Sequence, residues 1–200
     1  MIERCQRQHG IGEFDPRALA RMLRQVDRLT SLVNDLLDVS RIERGKLALR
    51  PEPVDLAELV AGVVEDFRGQ APLRALSLEV PGAPVVARVD AVRIEQVLAN
   101  LLENALRYTP EQSPVEIRLG QQAGQAQIEV TDHGPGIPLD QQPLLFTRFY
   151  RVRSDPTRPH GGLGLGLYIS RQIIELHGGE IGFSTAPDRG STFFFRLPLA

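Results

Sequence analysis

The sequence contains a single cysteine, Cys5, no tryptophan, and aromatic residues at only 6%. One thiol excludes an internal disulfide, and no Cys/His grouping has metal-ligand spacing, so neither a disulfide framework nor a structural zinc site is expected and a reducing cytoplasm is the default setting. Long apolar runs are missing too. No stretch approaches the ~20 residues that a spanning helix requires, and the charged start at Glu3, Arg4 and Arg7 precedes no apolar signal-peptide core, so this segment is expected to make no membrane contact. Nor does one sign of charge dominate. With 23 Lys and Arg against 25 Asp and Glu, and no basic run interleaved with aromatics, a nucleic-acid partner has no electrostatic support.

What is present fits one ordinary domain with a smaller appendage: 200 residues, 42% hydrophobic and 24% charged. Residues 1–14 read as irregular. From Asp15 to Lys46 the pattern is one long helix, opened by Asp15 as a capping side chain with Pro16 in the first turn and closed near Gly45. Apolar residues recur in heptads, Leu19, Val26 and Val33 with Met22, Leu29 and Leu36, which calls for a partner helix, although packing on the chain's own domain is the alternative. Pro51 and Pro53 force an extended connection, so residues 49–55 read as a linker between a helical region, 15–48, and a domain spanning 56–200. In that domain Asp55 caps a helix from Leu56 to Phe67. Strands are expected at Leu76–Val80 and Val85–Val89, around a Pro81-Gly82 turn, then a helix at Ala91–Leu106. Strands at Val115–Leu119 and Gln125–Thr131, a helix at Leu163–His177, and strands at Glu180–Thr185 and Ser191–Leu197 complete an α+β chain with helices layered on one face of a mixed sheet.

Three elements carry chemistry. In the helix holding Asn100 to Tyr108, the residues Ile94, Val97, Leu98, Leu101 and Ala105 form an apolar stripe, and Asn100 and Asn104 lie one turn apart on its flank. Their oxygens suit a hard cation such as Mg²⁺, although such a pair also reads as a solvated flank. Next, Asp132-His133-Gly134-Pro135-Gly136-Ile137 ends a strand. An ionised carboxylate there would accept a hydrogen bond from the exocyclic amine of adenine and disfavour guanine, although a plain strand-to-turn Asp-x-Gly is the alternative. Last, Gly161-Gly162-Leu163-Gly164-Leu165-Gly166 runs into a helix, where backbone amides and the helix N-terminus can meet an anion. It lacks the Lys-Ser or Lys-Thr of a P-loop and the third glycine of a dinucleotide fingerprint.

In order, Asn-x-x-x-Asn-Ala-x-Arg-Tyr-Thr-Pro, Asp-x-Gly-x-Gly-Ile, Leu-Phe-x-Arg-Phe-Tyr-Arg (Leu145 to Arg151), Gly-x-Gly-x-Gly-Leu and Gly190-Ser191-Thr192-Phe193 resemble the N, G1, F, G2 and G3 boxes of bacterial two-component sensor histidine kinases. The stretch SLVNDLLDVSRIERGKL (Ser31 to Leu47) resembles the second helix of that family's dimerisation hairpin, and PEPVDLAELV its linker. The resemblance implies a two-layer α/β sandwich of the histidine kinase, gyrase and heat-shock chaperone type behind a long α-helix. It further implies ATP and Mg²⁺ as cofactors, a response regulator as partner, pairing as a homodimer or with another kinase chain through residues 15–47, and a cytoplasmic location, as the inner part of a membrane-bound sensor where one exists. By residue, Asn104 would hold Mg²⁺ with support from Asn100, Arg107 would approach the phosphates, and Tyr108 would line the nucleotide cleft. Asp132 would read adenine, with Gly134, Gly136 and Ile137 shaping its pocket. Gly162, Leu163, Gly164, Leu165 and Gly166 would flank the phosphates, Thr192 would join the ATP site, and residues 139–160 would form a lid carrying Arg151 and Arg158 toward the γ-phosphate. Phe146 and Phe149 would anchor that lid by packing.

The resemblance extends to a superfamily whose ATPases and serine kinases place a Glu four residues before the metal-binding Asn, as general base. Here that position is Asn100, which fits transfer to histidine, itself a nucleophile when neutral. No histidine matches the acceptor. His9 precedes Gly10-Ile11-Gly12, whose glycines disfavour a helix, His133 lies in the adenine motif, His160 in the lid, and His177 before Gly178-Gly179. The expectation is a kinase catalytic region that does not label itself, read as a piece of a longer kinase. The alternatives are a non-catalytic ATP-binding regulatory module and an ATPase or serine kinase of the same fold.

Overall fold

The computed structural model describes residues 16–71, 74–152, 163–186 and 189–200. The expected cap Asp15, together with His9, Arg158, His160, Gly161 and Gly162, lies outside them. Helix α1, Pro16–Glu43, ends three residues before the Lys46 that the sequence pattern suggests. Gly45, at φ 61°, supplies the left-handed stop, its N–H bonding to Ile42 O at 2.9 Å while the Lys46 N–H reaches Arg41 O at 2.8 Å. These two bonds make a Schellman close that satisfies carbonyls orphaned at the helix end.

The stretch read as a linker contains a strand, β1, Glu52–Asp55, which pairs antiparallel with β3, Val86–Val89. Pro53 is tolerated because this sheet has only two strands, so its missing N–H interrupts no central ladder. Asp55 caps α2, Leu56–Gln70, accepting from Ala57 N at 2.9 Å and also from Val85 N at 3.0 Å, which ties the cap to the approach of β3.

A five-stranded sheet carries the domain, in the order β2-β4-β5-β7-β6. Its strands are β2 (Leu76–Glu79), β4 (Val115–Gln122), β5 (Gln125–Asp132), β6 (Glu180–Thr185) and β7 (Ser191–Pro198). Only β2 and β4 run parallel. Alternation sends Val115, Ile117, Leu119, Ala126, Ile128, Val130, Phe193, Phe195 and Leu197 to one buried face. Against it lie α2, α3 (Ala91–Tyr108) and α4 (Gly166–Leu176). The expected stripe Ile94, Val97, Leu98, Leu101 and Ala105 is buried, giving the two-layer α+β sandwich. Each such fully buried aliphatic side chain contributes on the order of 1.5–3 kcal/mol.

Helix α4 starts at Gly166 instead of Leu163, because Gly164 sits at φ 72° and breaks the helical path. At its other end His177 joins two helices. The Asp90 N–H donates to His177 Nε2 at 3.0 Å, and Nδ1 meets Ile173 O at 2.8 Å, which fixes the tautomer with Nδ1 protonated. His177→Ala is expected to cost about 1–2 kcal/mol by leaving the half-buried Asp90 N–H without its acceptor, measured as a lowered midpoint in urea unfolding.

Helix α1 is fastened to the domain at its C-terminal end. Asp38, 4% exposed, accepts from Arg93 Nη1 at 2.7 Å and Gln96 Nε2 at 3.0 Å, while Glu43 pairs with Arg148. Val39 and Leu47 are buried in the same joint. The rest of the apolar seam, Leu19, Met22, Val26, Leu29, Val33 and Leu36, is exposed at 41–65%. Among the described residues, no helix is long and apolar enough to cross a membrane.

Candidate functional site

A cleft of about 1020 Å³ opens between α3, the start of α4, the ends of β5 and β7, and the inner face of α1. Its deep end is built by strand parity. Asp132 closes β5 and Ser191 opens β7 directly opposite it, and both are buried. The Asp132 carboxylate accepts from the Gly134 N–H at 2.8 Å, and the backbone N–H of Ser191 lies near enough to favour its charge. Burial still raises its pKa above the ordinary carboxylate value, the two N–H groups and nearby His133 opposing that rise. Gly134 is required here. A Cβ would lie 2.8 Å from Asp132 Oδ1 and 3.0 Å from Tyr108 O. Gly136, at φ 69°, turns the chain so that Ile137 enters the core, its N–H donating to Thr185 Oγ1 at 3.1 Å.

Thr192 is a correction to the sequence reading. Being odd by one residue from Ser191 and Phe193, it points to the other face of the sheet, where its hydroxyl meets Thr131 Oγ1 at 2.9 Å. The residues that do line the cleft are Ser191 and Phe193. The apolar alternation Phe193, Phe195, Leu197 carried that signal, since it puts Ser191 and not Thr192 on the buried face.

The middle of the cleft is flanked by α3. Asn104 and Tyr108, both half-buried, line it one turn apart, with Asn100 a turn earlier. Arg107 also borders the cleft and pairs with Glu103 at 3.9 Å. Glu103 is largely exposed; besides that contact with Arg107 it lines the cleft, close enough to Asp35 on α1 to act on its charge. Across from α3, Leu163, Gly164, Leu165 and Gly166 form the approach to α4. Leu165 is fully buried and plugs this loop into the core. Gly164 lies against the backbone of Phe149 and Tyr150, a Cβ there coming 2.6 Å from Tyr150 O. The first-turn N–H groups of α4 are left without intrahelical acceptors beside the cleft, the arrangement that favours an anion.

Phe146 packs 6.0 Å from Phe183, which lies 5.9 Å from Phe193, so the expected aromatic anchor is present. Phe149 does not join it. It is 60% exposed and held at φ 61°, because the backbone of residues 149–150 is turned to lie on Gly164. Arg151 borders the cleft and its stem passes the same glycine. Arg148, unassigned from sequence, reaches from this segment to Glu43 and lies over the Tyr168 ring at 5.7 Å.

On the α1 side, Asn34, Asp35, Asp38 and Arg41 face the cleft. The Asp35 pKa is pushed up to about 6, chiefly by burial and then by Asp38 and Glu103. With the folded value above the unfolded one, the native state holds more protons between about pH 4 and 6, so this group's contribution to stability falls as pH rises through that window. Asp35→Asn is therefore expected to be more stable than wild type at pH 7.5 by about 1 kcal/mol, after allowance for solvent screening, and equal to it near pH 3.5. Denaturant titrations at the two pH values check the difference.

As for a metal, the α3 wall of the cleft offers the amide oxygens of Asn100 and Asn104. Among the described residues no group of three His, Cys, Asp or Glu could hold an ion alone. This chemistry fits Mg²⁺, which takes one or two protein oxygens and fills its other positions with phosphate and water.

A family profile described as "Histidine kinase-, DNA gyrase B-, and HSP90-like ATPase" matches residues 89–200. The chain is 37% identical over 194 residues to the signal transduction histidine-protein kinase BaeS of Escherichia coli, covering 96% of this chain and 41% of BaeS. It is 37% identical over 176 residues to the circadian input-output histidine kinase CikA of Synechococcus elongatus, covering 86% of this chain and 23% of CikA. It thus spans less than half the length of either curated relative. The solved structure of the Acinetobacter baumannii histidine kinase AdeS superposes with a TM-score of 0.74 at 28% identity, over 97% of this chain and 90% of that one. Cleft, topology and relatives agree: the chain belongs to the family of histidine kinase-, DNA gyrase B- and HSP90-like ATPases, on the branch of the bacterial sensor histidine kinases.

Proposed function

We propose that this chain is the ATP-binding catalytic region of a protein-histidine kinase, which passes the γ-phosphoryl of ATP to a histidine on a dimerisation hairpin whose second helix is α1. The observation that carries the reading is the pairing, in one cleft, of a buried carboxylate at the deep end with an amide at residue 100, where a general-base carboxylate would serve an ATPase or serine kinase. A neutral imidazole nitrogen needs no such base. Its lone pair forms the N–P bond as the bond from the γ-phosphorus to the β,γ-bridging oxygen breaks, and ADP leaves with that electron pair.

Asp132 accepts from the adenine amine, Asn104 holds Mg²⁺, and the N–H groups at the start of α4 meet the phosphates. Arg151, with Arg158 as second candidate, contacts the γ-phosphate as charge shifts during transfer. Bound Mg²⁺ would neutralise phosphate charge and orient the γ-phosphoryl. Support for nucleotide binding comes from ShkA, solved in complex with AMPPNP, to which this chain is 29% identical with a TM-score of 0.74, over 92% of this chain and 39% of that one. The exposed seam of α1 supports pairing with a second copy or another kinase chain, which would bury it. A response regulator would receive the phosphoryl group in turn, and the cytoplasm is the compartment where that exchange occurs.

Calorimetric titration with AMPPNP in Mg²⁺, together with a phosphate-release assay on ATP, tests this reading. Tight AMPPNP binding with negligible phosphate release in the absence of an acceptor is expected. Sustained hydrolysis without acceptor would move the chain to the ATPase class.

A further inference from the structure

Where α3 and α4 cross, one side chain occupies the room that another would need. Gly166, the first residue of α4, has no space for a Cβ. That atom would strike Asn100 Oδ1, with the amide carbon at 2.8 Å and Nδ2 at 3.2 Å. The same amide donates from Nδ2 to Ser170 Oγ at 3.0 Å. Gly166 and Ser170 lie four residues apart on α4, and Asn100 and Asn104 four apart on α3, so each pair shares a face of its helix. The Asn100 amide therefore lies flat on the opening turn of α4, one turn of α3 away from Asn104.

Ser170 is 2% exposed. Serine is an indifferent helix former, and a buried hydroxyl is costly unless bonded, so alanine would serve packing better. Its bond joins the two halves of the phosphate end of the cleft. At the start of α4 the N-cap residue, Leu165, makes no side-chain capping bond. The N–H groups of α4 and the Asn104 oxygen have to meet one metal-bound phosphate group from two sides, and a drift of about 1 Å between them would loosen both contacts at once.

We propose that Ser170, through its hydrogen bond with Asn100, is a positioning residue that holds the phosphate-binding end of α4 at its working distance from Asn104, and that Asn100 serves this bond instead of ligating the metal. The inference rests on the nucleotide reading given above. It assigns a role to Ser170 and replaces the metal-supporting role that sequence suggests for Asn100.

ATP affinity of the full chain, measured in Mg²⁺ and in EDTA for wild type, Ser170→Ala, Ser170→Thr and Asn100→Ala, tests it, with melting temperatures recorded alongside. Ser170→Ala is expected to weaken binding in Mg²⁺ about fivefold, the worth of one hydrogen bond, and to leave binding in EDTA unchanged, since metal-free phosphates need not bridge both helices. Ser170→Thr, which keeps the hydroxyl, should bind Mg·ATP like wild type, and Asn100→Ala should lose no more Mg²⁺ dependence than Ser170→Ala. Equal losses with and without Mg²⁺, no loss in Ser170→Ala, or a far larger Mg²⁺-specific loss in Asn100→Ala would each overturn the positioning role. A wild-type chain that takes up no ATP in either buffer overturns the nucleotide reading and this inference with it. Wild-type binding with an unchanged Ser170→Ala overturns the inference alone.

Discussion

Asn104→Ala is expected to bring ATP affinity in Mg²⁺ down to the level seen in EDTA, and to lower phosphoryl transfer by about a thousandfold, the scale of losing one preorganised electrostatic contact. Asn104 is half-buried in the middle of the cleft, between the Asp132 end proposed for adenine and the start of α4 proposed for the phosphates. Mg²⁺ takes few protein ligands, so one amide is a large share of what the protein gives it. The adenine contacts lie elsewhere and survive, which is why affinity in EDTA should be unchanged. Because Asn104 is not buried in the core, its truncation leaves no large cavity and the melting temperature should stay within a few degrees. Calorimetric titration in the two buffers reads the effect, and an affinity in Mg²⁺ equal to that of wild type would sink the metal assignment.

The second large effect is expected for Asp132→Asn. The carboxylate already accepts from the Gly134 N–H, which leaves acceptor capacity for the adenine amine proposed to meet it. An amide cannot accept on both sides. Either its NH₂ faces the adenine amine or it faces a backbone N–H, and one donor is left without a partner, a loss of about 1–3 kcal/mol or roughly 10–100-fold in ATP affinity. Discrimination against GTP should fall in the same variant, since the amide can donate to the guanine oxygen. Stability should not fall in step. Burial raises the Asp132 pKa, so the charged form is a cost to the fold above the acidic range, and the neutral amide removes it. Competition of ATP and GTP for a fluorescent nucleotide measures both affinities, and a variant that keeps wild-type ATP affinity would contradict adenine readout by this side chain.

Much of this architecture was legible because its elements are punctuated by residues with one physical use. Asp55 marks the start of α2, Gly45 the end of α1, and the stripe from Ile94 to Ala105 the buried face of α3, all by local chemistry that the chain displays without its fold. Where the sequence misled, local signals pointed one way and tertiary pairing the other. Pro51 and Pro53 read as a bare connection, yet residues 52–55 gain a partner strand in β3 that lies far along the chain. Leu163 to Leu165 continue a helical pattern that Gly164 ends, because the backbone of Phe149 and Tyr150 packs on that glycine. Thr192 was misplaced for a different reason. A motif names residue types, whereas the parity of β7 decides which of Ser191 and Thr192 meets the cleft. The bonds that fasten the site, Asn100 to Ser170 and Asp38 to Arg93, join residues separated by 70 and 55 positions, and nothing in local periodicity announces such pairs.

The central claim, transfer to histidine, is tested most directly by incubating the chain with γ-labelled ATP and Mg²⁺, alone and with a separate helical hairpin bearing an acceptor histidine. The account predicts acid-labile label on the added hairpin and none on the chain alone. ATP bound but no label on either would contradict it and leave a nucleotide-binding regulatory module in its place.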